Sequence, residues 1–125
     1  MKQVMVYNLD NPELEVVRAH FCASFACRLR GLTFRRTPAP NQGLLMVQSR
    51  ESRLDAAIHM LGVWMDLAVV WINTRQVVVD VRLARRWRLF YLPEHPARYV
   101  LEMAVEHLAD FKTGDRIKFE ETELG

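Results

Sequence analysis

The sequence predicts a mainly β fold of the α+β class: one small domain with a curved or barrel-like sheet and two short helices. Three observations lead there. Apolar residues recur in short runs, several alternating with polar neighbours as half-buried strands do. Turn residues at Asp10-Asn11-Pro12, 37–43, Pro93 to Pro96 and Gly114-Asp115 interrupt the chain between these runs. Short strands outnumber short helices in this reading, which implies a small, strongly curved sheet or barrel. With 125 residues, 50% apolar and 26% charged, the chain is long enough for one core and too apolar for a disordered one. A single domain over residues 1–125 follows.

The elements can be justified in order. Val4 and Val6, then Leu14 and Val16, alternate as two short strands around the turn residues Asp10-Asn11-Pro12, which suggests an opening hairpin. Ser24 can cap a short helix over residues 25–30, and Gly31 can end it in the left-handed conformation. Two prolines make residues 37–43 a loop, and Leu44-Leu45-Met46-Val47 restarts a strand. Residues 54–72 are ambiguous: Leu54, Ile58, Leu61 and Met65 keep helical spacing, whereas Val69-Val70-Trp71-Ile72 are strand formers. Polar residues 73–76 precede the alternating Val77 to Arg82 run, the clearest hairpin in the chain. After Pro93 and Pro96, residues 99–103 resume a strand, residues 105–111 suit a second short helix, and Gly114-Asp115 turns into a last strand at 116–119.

Charge and chain chemistry exclude several classes. Seventeen Lys and Arg against fifteen Asp and Glu leave a formal charge of +2, too balanced to call for a polyanionic partner by itself. The opening residues contain no sustained apolar run or small-residue cleavage site, so the expected compartment is the cytoplasm. The most apolar stretch, residues 56–72, includes His59, Gly62 and Asp66 and is too short for a bilayer, which takes about 20 residues. Membrane insertion is therefore not expected. Cys22 and Cys27 match neither a redox pair nor a zinc site, and buried free thiols are expected in a reducing compartment.

The order of motifs resembles domain of unknown function family 192, widespread in bacteria and archaea, over about residues 15–120. The landmarks are Arg28-Leu29-Arg30-Gly31-Leu32, Gly43-Leu44-Leu45-Met46, Ile58-His59-Met60, residues 67–72, Pro96 to Glu102 and Gly114-Asp115-Arg116-Ile117. The resemblance implies that Ile58-His59-Met60 and residues 67–72 are strands, which resolves the ambiguous region, and it carries no established activity. It also implies structural roles for Arg28, Arg30, Gly31, Gly43, Glu102, Gly114 and Asp115, with Glu102 paired to an arginine such as Arg28 or Arg30. Relatives carry an acidic residue where this chain has Ala68. Asp66, two residues earlier and so on the same face of an extended strand at about 6.5 Å, could stand in for it.

Candidate functional residues fall into two groups. Histidine as a residue type can carry or release a proton near neutrality, so His59 could transfer protons in a hydrolase-like reaction if Asp66 or Glu102 orients it, although a packed histidine is the plainer reading. If Leu101 faces the core, alternation turns Glu102 to solvent. Arg86, Trp87, Arg88, Tyr91 and Tyr99 form an Arg-aromatic set suited to a groove for a peptide or protein partner, with single-stranded nucleic acid through residues 82–91 as the alternative. Trp64 and Trp71, inside the most apolar stretch, are expected in the core. His20, His59, His95 and His107 lack ligand spacing, so neither metal nor cofactor is expected.

Overall fold

A computed structural model describes residues 2–24, 27, 41–60, 63–88 and 90–123. Seven strands form one sheet: β1 (Lys2–Asn8), β2 (Val17–Cys22), β3 (Gln42–Ser52), β4 (Leu67–Ile72), β5 (Val78–Ala84), β6 (Ala97–Ala104) and β7 (Ile117–Glu123), in the spatial order β5-β4-β6-β3-β2-β1-β7. Every neighbouring pair is antiparallel except β2 and β3. Parallel strands cannot be joined by a tight turn, and the interval of sequence between Cys22 and Gln42 has the length that a crossover connection needs.

The opening hairpin is present, with Gln3 opposite His20 and Val6 opposite Val17, although its second strand begins at Val17. Residues 67–72 are strand β4, all six buried, and they pair on one side with β5 and on the other with β6. A strand covered on both faces reads as a continuous apolar run, which explains why its periodicity was uninformative.

Two cores follow from the alternation. One face carries Leu44, Met46, Leu67, Val69, Trp71 and Val100. Segments before β4 and after β5 cover it: Ile58 and Tyr91 exchange backbone hydrogen bonds of 3.0 and 2.9 Å, and the Trp71 indole N–H donates to Ala56 O at 2.8 Å. The other face carries Val4, Val6, Leu45, Val70, Leu101 and Met103, and it is concave. The curl is strong enough that Phe119 on β7 and Tyr99 on β6, four places apart in the sheet, bring their rings to 4.8 Å.

Several expectations need correction. The sheet is open rather than a closed barrel: β5 and β7 meet only at one end, through a Val77–Arg116 bridge and the bonds Val78 N to Asp115 O and Ile117 N to Gln76 O. The second helix is a single 3-10 turn, Val105–Ala109. The first falls on residues 25–30, of which only Cys27 is described; it is helical, and its N–H donates to Ser24 Oγ at 3.1 Å, the capping bond expected there. Ile58-His59-Met60 is not a strand, since Ile58 makes only an isolated bridge. Glu102 does not face solvent: its strand lies inside a sheet covered on both sides, and it is 3% exposed. Cys22 and Cys27 are not free thiols but a disulfide, with Cα atoms 5.6 Å apart. Trp71 is in the core as expected, whereas Trp64 is 61% exposed.

Candidate functional site

The covering segments place an aromatic and basic surface at one margin of the first core. The backbone N–H of Trp87 donates to Met60 O at 2.9 Å, and Met60 N–H donates to Arg88 O at 2.9 Å, so the turn after β5 is laced to the segment before β4. This lacing brings Trp64 and Trp87 together edge to face at 5.1 Å, with Trp87 46% exposed. Phe90 is exposed nearby in the chain. Trp87 has φ 66°, in the left-handed region that bulky side chains avoid at a cost of roughly 1–3 kcal/mol. Arg85, Arg86 and Arg88 flank it and are exposed.

The charges on this surface are partly compensated. Asp66 Oδ1 accepts from the Arg86 backbone N–H at 2.9 Å and from its Nε at 3.2 Å, and these bonds hold the Asp66 carboxyl below its ordinary pKa. Arg85 and Arg88 form no ion pair among the described residues; the Arg88 guanidinium lies 5.1 Å from the Tyr91 ring. Tyr91 is buried, and its hydroxyl accepts from Arg85 N–H at 2.8 Å, so it braces the surface from beneath. Tyr99 is elsewhere, on the concave face beside Phe119. The expected groove lined by Trp87, Tyr91 and Tyr99 together is therefore corrected: the three belong respectively to a surface turn, a core and the opposite side of the sheet. Trp64 takes the place of Tyr99; its position inside the most apolar stretch points to the core, and only the folding of that segment over the sheet exposes it.

The catalytic candidates are dispersed. His59 is half-buried between the core residues Ile58 and Met60. The groups acting on Asp66 are Arg86 and Arg85, so its carboxylate is not positioned as a stand-in for the acid that relatives carry at Ala68; Ala68 itself is fully buried. Glu102 lies opposite Leu44 on β3 and Val69 on β4. His20 is opposite Leu44 on its other side, and Gln3 is opposite His20, so one row across the sheet reads Gln3, His20, Leu44, Glu102, Val69. Glu102 Oε1, His20 Nδ1 and Gln3 Oε1 are buried without hydrogen-bond partners among the described residues. Burial alone pushes the Glu102 carboxyl up to about 7, because removing a carboxylate from water penalises its charged form.

Where they are described, the motif residues lie at close or turning stretches of backbone. Gly43 lies between β2 and β6, and a Cβ there would sit 2.8 Å from Glu102 O. Gly114 has φ 98°. Asp115 Oδ2 accepts from Lys112 N–H at 2.8 Å and from Asn8 Nδ2 at 2.9 Å, the turn-forming role expected of it. Arg28, Arg30 and Gly31 lie outside the described residues, as does any pairing of Glu102 with those arginines. Among the described residues no cluster of His, Cys, Asp or Glu could hold a metal ion.

Comparison with known proteins gives a consistent result. The model of the DUF192 family, described as Uncharacterized ACR, matches residues 6–119. A UPF0127 protein of Thermococcus gammatolerans is 38% identical over 102 residues, covering 80% of this chain and 65% of its own length, so the chain spans just under two thirds of that relative. A UPF0127 protein of Thermococcus sibiricus is 32% identical over 118 residues, covering 93% of this chain and 75% of its own. Among solved structures, a protein of unknown function from Novosphingobium aromaticivorans superimposes with a TM-score of 0.80 at 18% identity, over 93% of this chain and 83% of that one. A transcription-regulator candidate from Sinorhizobium meliloti gives 0.79 at 19%, over 95% and 94%. At such identities these structures establish a shared fold.

Proposed function

The chain belongs to the DUF192 (UPF0127) family, whose function is uncharacterised, and from that premise we propose that it is a binding module whose partner is an acidic peptide segment carrying an apolar side chain. The observation that carries this reading is the Trp64–Trp87 pair, two large aromatics held edge to face in solvent beside Arg85 and Arg88. Tryptophan and arginine are enriched among interface hot spots, where each buries a large area while keeping a polar contact. The left-handed backbone of Trp87 strengthens the reading, since a strained residue that packs nothing into the core serves stability poorly.

The test uses a synthetic peptide with one phenylalanine among Asp and Glu residues, followed by tryptophan fluorescence, with a peptide in which Lys replaces the acids as control. The acidic peptide should perturb the emission and the basic one should not. Trp87→Gly should weaken binding by about tenfold or more while keeping the fold, because glycine adopts the same φ without cost. Equal binding of both peptides, or of neither, would overturn the proposal. Salt-sensitive, Trp87-dependent binding of an oligothymidylate alone would instead favour the nucleic-acid reading. The hydrolytic reading through His59 has less support, because Asp66 is committed to Arg86. A cytoplasmic location remains part of the proposal; among the described residues no helix is long and apolar enough to cross a membrane, and the Cys22–Cys27 bond weighs against a reducing compartment. Thiol labelling of the protein in fresh lysate tests it against the Cys22–Cys27 bond, since disulfides persist mainly in oxidising compartments or in hyperthermophiles.

A further inference from the structure

The concave face of the sheet does not fill completely with side chains. At the end where β1 begins and β7 finishes, a cavity of about 330 Å³ remains, with Val4 and Leu45 buried at its floor. Its walls are the rings of Phe21, Tyr99 and Phe119. This is the open mouth of a curled sheet, a place where proteins commonly hold small molecules, and the volume is at the lower end of the usual range of about 300–1,000 Å³.

Two charged side chains reach the cavity, and they differ. Glu121 is neutralised by Lys2, whose ammonium stands 2.9 Å from Glu121 Oε1 and 4.5 Å from the centre of the Phe21 ring. Arg98 has no carboxylate partner among the described residues. Its Nε donates to Gln48 O at 3.2 Å, and its guanidinium lies 5.7 Å from the Tyr99 ring. That bond anchors one edge of the guanidinium itself to the backbone, so the planar head is held at the mouth before any ligand arrives. An aromatic-walled cavity with one oriented, uncompensated guanidinium selects for a molecule with an apolar ring and a single negative charge.

We propose that this cavity is a binding site for a small aromatic carboxylate, its ring between Tyr99, Phe119 and Phe21 and its carboxylate on Arg98. The site is on the opposite face of the sheet from the tryptophan surface and is independent of it. The experiment is a titration of the isotope-labelled protein followed by amide NMR, using phenylacetate and its neutral analogue 2-phenylethanol. Phenylacetate should shift amides around Phe21, Leu45, Tyr99 and Phe119. Arg98→Gln should weaken phenylacetate binding by about tenfold or more and leave 2-phenylethanol unchanged, because only the anion loses a charge-assisted hydrogen bond. Val47→Phe, which fills the cavity without altering charge, should block both ligands, and it decides the matter should Arg98→Gln fold poorly. Shifts that map to the Trp64–Trp87 surface, undiminished phenylacetate binding in Arg98→Gln, or undiminished binding of both ligands in Val47→Phe would each overturn the proposal.

Discussion

Glu102 shows how one side chain ties sequence, burial and pH together. Its carboxyl releases its proton near 4.5 when unfolded and near 7 when folded, so between those values the native state holds the extra proton. Stability conferred by the protonated form is therefore complete below about pH 4.5 and lost as pH rises through 7. A shift of this size corresponds to about 3 kcal/mol. Glu102→Gln, which keeps the shape without the charge, should abolish this dependence, so that the variant's stability relative to wild type rises between pH 5 and pH 8. Urea denaturation at the two pH values measures it. Asp10 and Asp66, whose carboxyls are held low by Arg116 and Arg86, titrate below this window and leave it undisturbed.

At the scale of elements, close packing and covalent closure decide more than propensity. Gly43 is where β3 presses most tightly on β6: a methyl group would meet Glu102 O at 2.8 Å and Met103 Cγ at 3.0 Å. Gly43→Ala should therefore cost about 1–3 kcal/mol, the usual penalty of overpacking, read as a lowered urea midpoint at an unchanged slope. The Cys22–Cys27 bond ties the end of β2 to the start of the crossover. Closing so short a loop restricts the unfolded chain by about 2 kcal/mol, so the paired Cys22→Ser and Cys27→Ser variant should lose that much stability, and a reducing agent should shift the melting temperature of the wild type but not of the variant.

Across the whole molecule, the approach of β5 and β7 links the two ends of the strand order. Gly114 N donates to Val78 O at 2.8 Å from a left-handed backbone that asparagine and glycine tolerate and other residues resist. No neighbour lies within 4 Å of a Cβ at that position, so Gly114→Ala isolates the conformational cost, expected at about 1–2 kcal/mol by thermal unfolding. The same closure makes the concave face, and with it the cavity beside Arg98. It was not legible in the sequence, because nothing in the alternation of β7 reveals which strand its first residues will meet.

Alternation and turn residues alone determined that β1, β3, β5, β6 and β7 exist and roughly where they begin, since side-chain period and turn chemistry are local properties. The burial of Glu102, the exposure of Trp64, the disulfide and the separation of Tyr99 from Trp87 were decided by tertiary structure. Each depends on which strands lie at the centre of the sheet and which loops fold over its faces. Contacts between residues distant in the chain determine that arrangement, and a local reading of apolar and polar residues has no access to them.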